Sequence, residues 1–230
     1  MQPVLNFHRL SNLSPNAFDF QPQQLVIAGW TGRDRAALEH HVEELAALGV
    51  ARPSSMPVYY RAAVTCLTQE SRIQVLGTTT SGEVEPVLFS MSDGLWLGVG
   101  SDHTDRTLET QSVALSKQIC PKVVGRGVWD CREIAAHWDS IIVRSLIIEG
   151  KGKPVAYQEG TLGQILSPVT LVEGYAGRAG LPVGTLMFCG TFPAMGGIRP
   201  ASTFIMELED PLLKRRLRHS YEIETLPIIA

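Results

Sequence analysis

The sequence predicts an α+β protein in which strands dominate, a mixed β-roll or sandwich with few peripheral helices. Short apolar runs bounded by Gly, Pro or Asp recur from residue 23 onward, and only residues 33–50 sustain a long helical period. The 230 residues are 44% hydrophobic, enough to fill one core. A single domain is therefore expected, with residues 1–22 as an N-terminal extension and 211–230 as a C-terminal strand.

Taken in order, QQLVIAGW (23–30) is an apolar strand closing at a Trp-Thr-Gly turn. RDRAALEHHVEELAALGV (33–50) follows as a helix, with Ala37, Leu38, Val42, Leu45 and Leu48 as its apolar stripe and Gly49 as its stop. A Pro-rich connector, ARPSSMPVYY, leads to strands in RAAVTCLT and RIQVLG. GEVEPVLFSM and DGLWLGVGSD then form a hairpin, since MSDG between them supplies an Asp-Gly turn. Residues 104–117 and 132–139 have helical character. SIIVRSLII, PVAYQEG, GTLMFCGT, STFIMELED and HSYEIETLPII complete the strands.

Composition narrows the function. A formal net charge of −3 offers no basic face for phosphate backbones or anionic lipid, so neither nucleic acid nor a membrane is an expected partner. MQPVLNFHRL lacks the basic head and apolar run of a signal peptide, and no stretch approaches the roughly 18 apolar residues of a membrane span, which points to the cytoplasm. Cys66, Cys120, Cys131 and Cys189 form no CxxC pair, the pattern of reduced thiols rather than of a zinc or dithiol site. No GxxxxGKS or GxGxxG supports nucleotide binding.

The chemistry is concentrated in SGEVEPVLFS (81–90). Side chains alternate along a strand, so Glu83 and Glu85 project together while Val84 goes the other way. Two close carboxylates repel and call for a cation, either Lys and Arg side chains or a divalent metal, unless both simply face water. The hairpin tips this balance, because its return strand ends in Asp102 and brings a third carboxylate beside the pair. Three carboxylates suit Mg2+ or Mn2+, with Ca2+ as a further option. His103, next to Asp102, points away and reads as a core or supporting residue.

The ordered run "SGEVEPVLF … GSDHTDR … SKQICP … YQEGTL … LPVGTLMFCGT" resembles the fumarylacetoacetate hydrolase superfamily over roughly residues 25–210. The resemblance implies that family's β-rich roll, a catalytic region over 23–210 and a homodimer. It implies that Glu83, Glu85 and Asp102 hold the metal, that Lys117 lines the reaction centre, and that Gly190 and Thr191 bind a substrate carboxylate. The family also places a His and a Glu three residues later on a short helix over the site. Here HHVEEL offers His41 and Glu44, ahead of the alternative register His40 and Glu43. Tyr60 and Arg61, after the Pro-rich connector, are candidates for substrate contact, with aromatic packing an equal alternative.

Departures accompany the matches. Gly29, Trp30, Thr31 and Gly32 stand where the family has Gly-x-Asn-Tyr, and Pro193 comes one place later than the family pattern. The implied reaction is hydrolytic cleavage of a carbon–carbon bond in a small 2,4-dioxo acid or acylpyruvate, with His41 activating water. Decarboxylation or isomerisation of an oxo acid on the same scaffold, or a non-catalytic binding or assembly role, are the alternatives. Arg106 is expected to pair with Asp105, Gln158 and Glu159 to orient a loop or Lys117, and LKRRLRH (213–219) to be a solvated strand or dimer rim.

Overall fold

The computed structural model describes residues 2–10, 16–47 and 52–229, and the side chains of residues 41 and 44–47 lie outside that description. Strands β1 (Leu5–Arg9), β2 (Ala17–Phe20) and β3 (Gln24–Gly29) precede helix α1 (Arg35–Ala47). Next come β4 (Val58–Ala62), β5 (Leu67–Thr68), β6 (Arg72–Leu76) and β7 (Thr80–Ser81), then the hairpin of β8 (Val84–Met91) and β9 (Gly94–Asp102). The chain continues through β10 (Thr104–Asp105), α2 (Arg106–Glu109), α3 (Val113–Ile119), β11 (Lys122–Asp130), α4 (Cys131–Ile134) and β12 (Ile142–Ile148). It ends with β13 (Val155–Thr161), α5 (Pro168–Ala176), β14 (Thr185–Phe188), β15 (Thr203–Asp210) and β16 (Arg215–Leu226).

A nine-stranded mixed sheet runs β2-β1-β11-β9-β8-β14-β3-β4 with β5 beside β11, and a five-stranded sheet runs β13-β12-β15-β16-β6. The class is α+β, mostly β, as the sequence predicts. The larger sheet curls, which gives it two buried faces. On one, Val84, Leu88, Leu97 and Val99 pack against Val143, Phe204 and Met206 of the second sheet. On the other, Val87 and Phe89 meet Phe7, Phe20, Leu25, Ile27 and Phe188 inside the curl. All eight residues of β8 are consequently buried, instead of alternating. Each large apolar side chain so buried contributes about 1.5–3 kcal/mol, which makes β8, with Glu85 in it and Glu83 just before it, a rigid support. Gly98 and Gly100 permit the curl's tight packing: a Cβ at either would stand 2.6 Å from the ring of Phe89 or Phe188.

Two local expectations need correction, and one strand escapes the sequence reading. Residues 104–117 are not one helix: Thr104–Asp105 pairs with β7, and Asp105 and Ser112 each cap a separate helix. Residues 132–139 divide into α4 and a 3-10 segment with non-helical backbone at His137. KVVGRGVWD is a central strand, β11, whose period is broken by an irregularity in pairing between Val124 and Val128. In α1, Asp34 caps the amides of Ala36 and Ala37, and Val42 is buried as predicted; Leu48 and Gly49 lie outside the described residues.

Candidate metal centre

The hairpin register builds the centre. Met91 stands opposite Gly94 and Val84 opposite Ser101, and the Asp102 N–H donates to the Glu83 carbonyl at 3.0 Å. Asp102 therefore faces Glu83 across the ladder, on the side that Glu85 shares. Carboxylate oxygens of Glu83, Glu85 and Asp102 all lie within 4.8 Å of one another. Glu85 and Asp102 are buried, and Glu83 is partly so.

Basic side chains surround the three. The Lys117 ammonium, from α3, contacts Asp102 Oδ2 and stands 3.8 Å from Glu83 Oε2. Lys122 Nζ lies 3.1 Å from Asp102 Oδ1 but gives hydrogen bonds to the carbonyls of His103 (2.6 Å) and Cys120 (3.0 Å). Asp102 Oδ1 is thus a buried oxygen with a cation beside it and no well-aligned hydrogen bond. Arg106 turns to Glu83 (3.0 Å) and Glu109 (2.7 Å), not to Asp105 as the sequence suggested, because Asp105 is engaged in capping α2.

These neighbours set the protonation states. Burial, then the Asp102 charge, push the Glu85 carboxyl well above its usual range, against the pull of Lys117. Burial acts the same way on Asp102, but Lys117 and Lys122 outweigh it and hold that carboxyl low. Burial opposes a charge on Lys117, yet Asp102, Glu83 and Glu85 raise its pKa above the ordinary lysine value. His103 is buried with its ring nitrogens 3.0 Å from Tyr221 Oη and 2.9 Å from Thr80 Oγ1; burial, with Lys122 and Arg106, lowers it to about 3. It is a neutral supporting residue, in line with the sequence reading.

Gly190 and Thr191 stand beside the cluster. The Gly190 N–H donates to Glu85 Oε2 at 2.7 Å, and Thr191 Oγ1 donates to the Val84 carbonyl at 2.8 Å while accepting from Gln158. Tyr60 lies with its ring 6.0 Å from Lys117 Nζ and shares a side-chain hydrogen bond with Trp30. Arg61 projects from the other face of β4 and bonds the Tyr175 hydroxyl at 3.0 Å. His41 and Glu44 fall within α1, but their side chains lie outside the described residues; His40 and Glu43 of the alternative register are exposed. Sequence reading missed Lys122, whose signal was a lone cation opening the apolar run KVVG, and the tie between Arg106 and Glu83.

The donors fit a hard divalent cation. Three convergent carboxylates, one with an oxygen lacking a hydrogen bond, match the all-oxygen preference of Mg2+ or Mn2+ and not the sulfur or nitrogen ligands typical of zinc. The family described as "protein of unknown function" (DUF2848) matches residues 28–221, a span containing every residue just named. The chain belongs to this family. Among curated proteins, none matches this DUF2848 chain. Solved structures do resemble it. Cg1458 is 15% identical, covering 94% of this chain and 85% of its own, with a TM-score of 0.63. A 2-keto-3-deoxy-D-arabinonate dehydratase complexed with magnesium and 2,5-dioxopentanoate is 14% identical, covering 94% and 79%, with a TM-score of 0.62. At these identities the likeness establishes the fold, which is of the fumarylacetoacetate hydrolase type. No helix among the described residues is long and apolar enough to cross a membrane.

Proposed function

We propose that this DUF2848 protein is a diverged member of the fumarylacetoacetate hydrolase superfamily and a divalent-metal-dependent enzyme acting on a small 2-oxo acid. Its proposed reaction is hydrolysis of a carbon–carbon bond in a 2,4-dioxo acid of the acylpyruvate kind. The observation carrying this reading is the convergence of Glu83, Glu85 and Asp102 beside Lys117. Those carboxylates would hold Mg2+ or Mn2+, with Ca2+ as the larger alternative, and the bound ion would polarise a substrate carbonyl as a Lewis acid. The dehydratase of similar fold, complexed with magnesium and a dioxo acid, supports the substrate class.

The chain's own residues then take distinct parts. Lys117, kept protonated by the carboxylates around it, stabilises negative charge developing on a substrate oxygen. His41, with Glu44 three residues on in the same helix, is assigned to take a proton from water, whose oxygen attacks the carbonyl distal to the substrate carboxylate. The carbon–carbon bond breaks, its electron pair passes to the oxo-acid fragment, and a proton returns to that carbon. Tyr60, Gly190 and Thr191 are assigned to the substrate side; Arg61, on the other face of β4 and bonded to the Tyr175 hydroxyl, is given no part in it. The same reading makes the protein a cytoplasmic homodimer, and its four unpaired thiols suit a reducing compartment.

A second reading, dehydration of a 2-oxo-3-deoxy acid, is favoured by the name of that similar structure. It begins with proton loss beside the 2-oxo carbonyl and needs no activated water, so His41 would be dispensable. The deciding experiment supplies metal-depleted protein with Mg2+ or Mn2+, acetylpyruvate or a 2-oxo-3-deoxy sugar acid, and 18O-labelled water. Hydrolysis places 18O in the released monocarboxylic acid and requires His41; dehydration does neither. Absence of turnover across both substrate classes, or turnover unchanged in Glu85→Gln, refutes the metal-enzyme reading.

A further inference from the structure

We propose that Gln158, on β13 of the second sheet, is a positioning residue for the metal centre, an inference that rests on the metal-site reading above. Gln158 touches no carboxylate of the cluster. It is 2% exposed, yet every polar atom of its amide is engaged. Its Oε1 accepts from the Val84 N–H and from Ser145 Oγ, both at 2.9 Å. Its Nε2 donates to Thr191 Oγ1 at 2.8 Å and to the Phe192 carbonyl at 2.7 Å. A backbone N–H only donates and a carbonyl only accepts, so Val84 and Phe192 fix which way the amide faces.

The partners matter more than their number. Val84 is the residue between Glu83 and Glu85, and Thr191 follows Gly190, whose N–H holds Glu85 Oε2 at 2.7 Å. Thr191 Oγ1 also donates to the Val84 carbonyl at 2.8 Å, which closes a ring through Val84, Gln158 and Thr191. From behind, across the boundary between the sheets, the ring locks the segment bearing Glu83 and Glu85 to the segment that supplies the Gly190 donor. Gln158 lies beside the core that contains Val84, Tyr157 and Phe192, where a leucine of similar size would fill the volume without needing four partners. A fully satisfied amide there fixes the separation of the Glu85 carboxylate from its Gly190 donor.

The test is Mn2+ titration of metal-depleted wild type, Gln158→Glu, Thr191→Val and Thr191→Ser, followed by the electron paramagnetic resonance of free Mn2+, with metal-free melting as a control. Gln158→Glu keeps the acceptor for Val84 but sets an oxygen against Phe192; Thr191→Val opens the ring, and Thr191→Ser retains it. The expected result is Mn2+ affinity weaker by about 10- to 100-fold in the first two and of wild-type strength in Thr191→Ser. Should Gln158→Glu fail to fold, Thr191→Val decides. Variants that melt lower but bind Mn2+ with wild-type affinity assign Gln158 to stability alone and overturn the inference, leaving the metal reading in place. Wild type that binds no Mn2+ overturns both.

Discussion

Replacing Glu85 by Gln tests whether the acidic cluster is built for an external cation at the expense of the metal-free protein. Glu85 lies within 4.8 Å of carboxylate oxygens on both Glu83 and Asp102. At an effective dielectric constant near 20, each such repulsion is at least about 3.5 kcal/mol. Lys117 offsets roughly one of the two, and because the Glu85 carboxyl is pushed well above its usual range, proton uptake relieves part of the rest, so about 3 kcal/mol is the upper bound on the net repulsion. Glutamine removes it and keeps the oxygen that accepts from the Gly190 N–H. Realising even half of that relief, about 1.5 kcal/mol, raises the melting temperature of a chain this size by about 3–6 °C. The assay is thermal melting of chelator-treated wild type and Glu85→Gln at low salt, with and without Mg2+. Wild type gains stability from Mg2+; the variant starts higher and gains little. A metal-free variant melting at or below wild type, or a Mg2+ effect that survives the substitution, refutes the reasoning.

The other predictions concern the cation partners and the frame. Lys117→Met leaves the carboxylates without their nearest ammonium; losing one side of a buried pair costs about 3–5 kcal/mol, read as a lower metal-free melting temperature that Mg2+ largely restores. Gly190→Ala puts a Cβ 1.8 Å from Thr31 Oγ1 on a backbone at φ +105°, which costs about 1–3 kcal/mol in backbone strain alone and, by displacing the Glu85 donor, weakens Mn2+ binding in titration. Asp210 is held low: burial pushes its carboxyl up, but the Leu213 N–H, His137 and Arg215 prevail. Its contribution to stability is therefore present above the unfolded pKa of about 3.9 and lost as pH falls through the lower folded value, so Asp210→Asn lowers stability at neutral pH and flattens the melting profile below about pH 4.

Legibility in the sequence followed the range of the interaction. The hairpin was readable because its turn and both strands are contiguous, and a two-strand register then places Asp102 opposite Glu83 with no further information. The existence of α1 was readable from its apolar stripe, of which Val42 is buried and Ala37 exposed, but its start was not: the helix begins at Arg35, after the Asp34 cap, and not at residue 33. By contrast, β11 was missed because Gly-Arg-Gly interrupts its alternation where the ladder itself shifts between Val124 and Val128. The full burial of β8 was hidden for a different reason: its second buried face exists only once the larger sheet curls over Val87 and Phe89.

The same logic separates the ligands from what holds them. Carboxylates two residues apart declare themselves through strand alternation, whereas their fixing groups come from distant parts of the chain: Arg106 and Lys117 from short helices, Lys122 from β11, and Gln158 from the other sheet. Lys122 illustrates why. A lysine opening an apolar strand reads as solvent-facing, yet its ammonium is fully buried between Asp102 and the carbonyls of His103 and Cys120. A charge can be buried there only because an opposite charge is buried beside it. Asp102 in turn is held low by Lys117 and Lys122 together, so neither the acid nor its bases are understandable alone. Substituting Lys122 by Met is thus expected to disturb Asp102 from the side opposite Lys117, lowering metal-free stability as Lys117→Met does, but with weaker recovery on adding Mg2+, because Lys122 also ties the carbonyls of His103 and Cys120. Equal recovery by Mg2+ in both variants would show that the two lysines serve only as interchangeable positive charge.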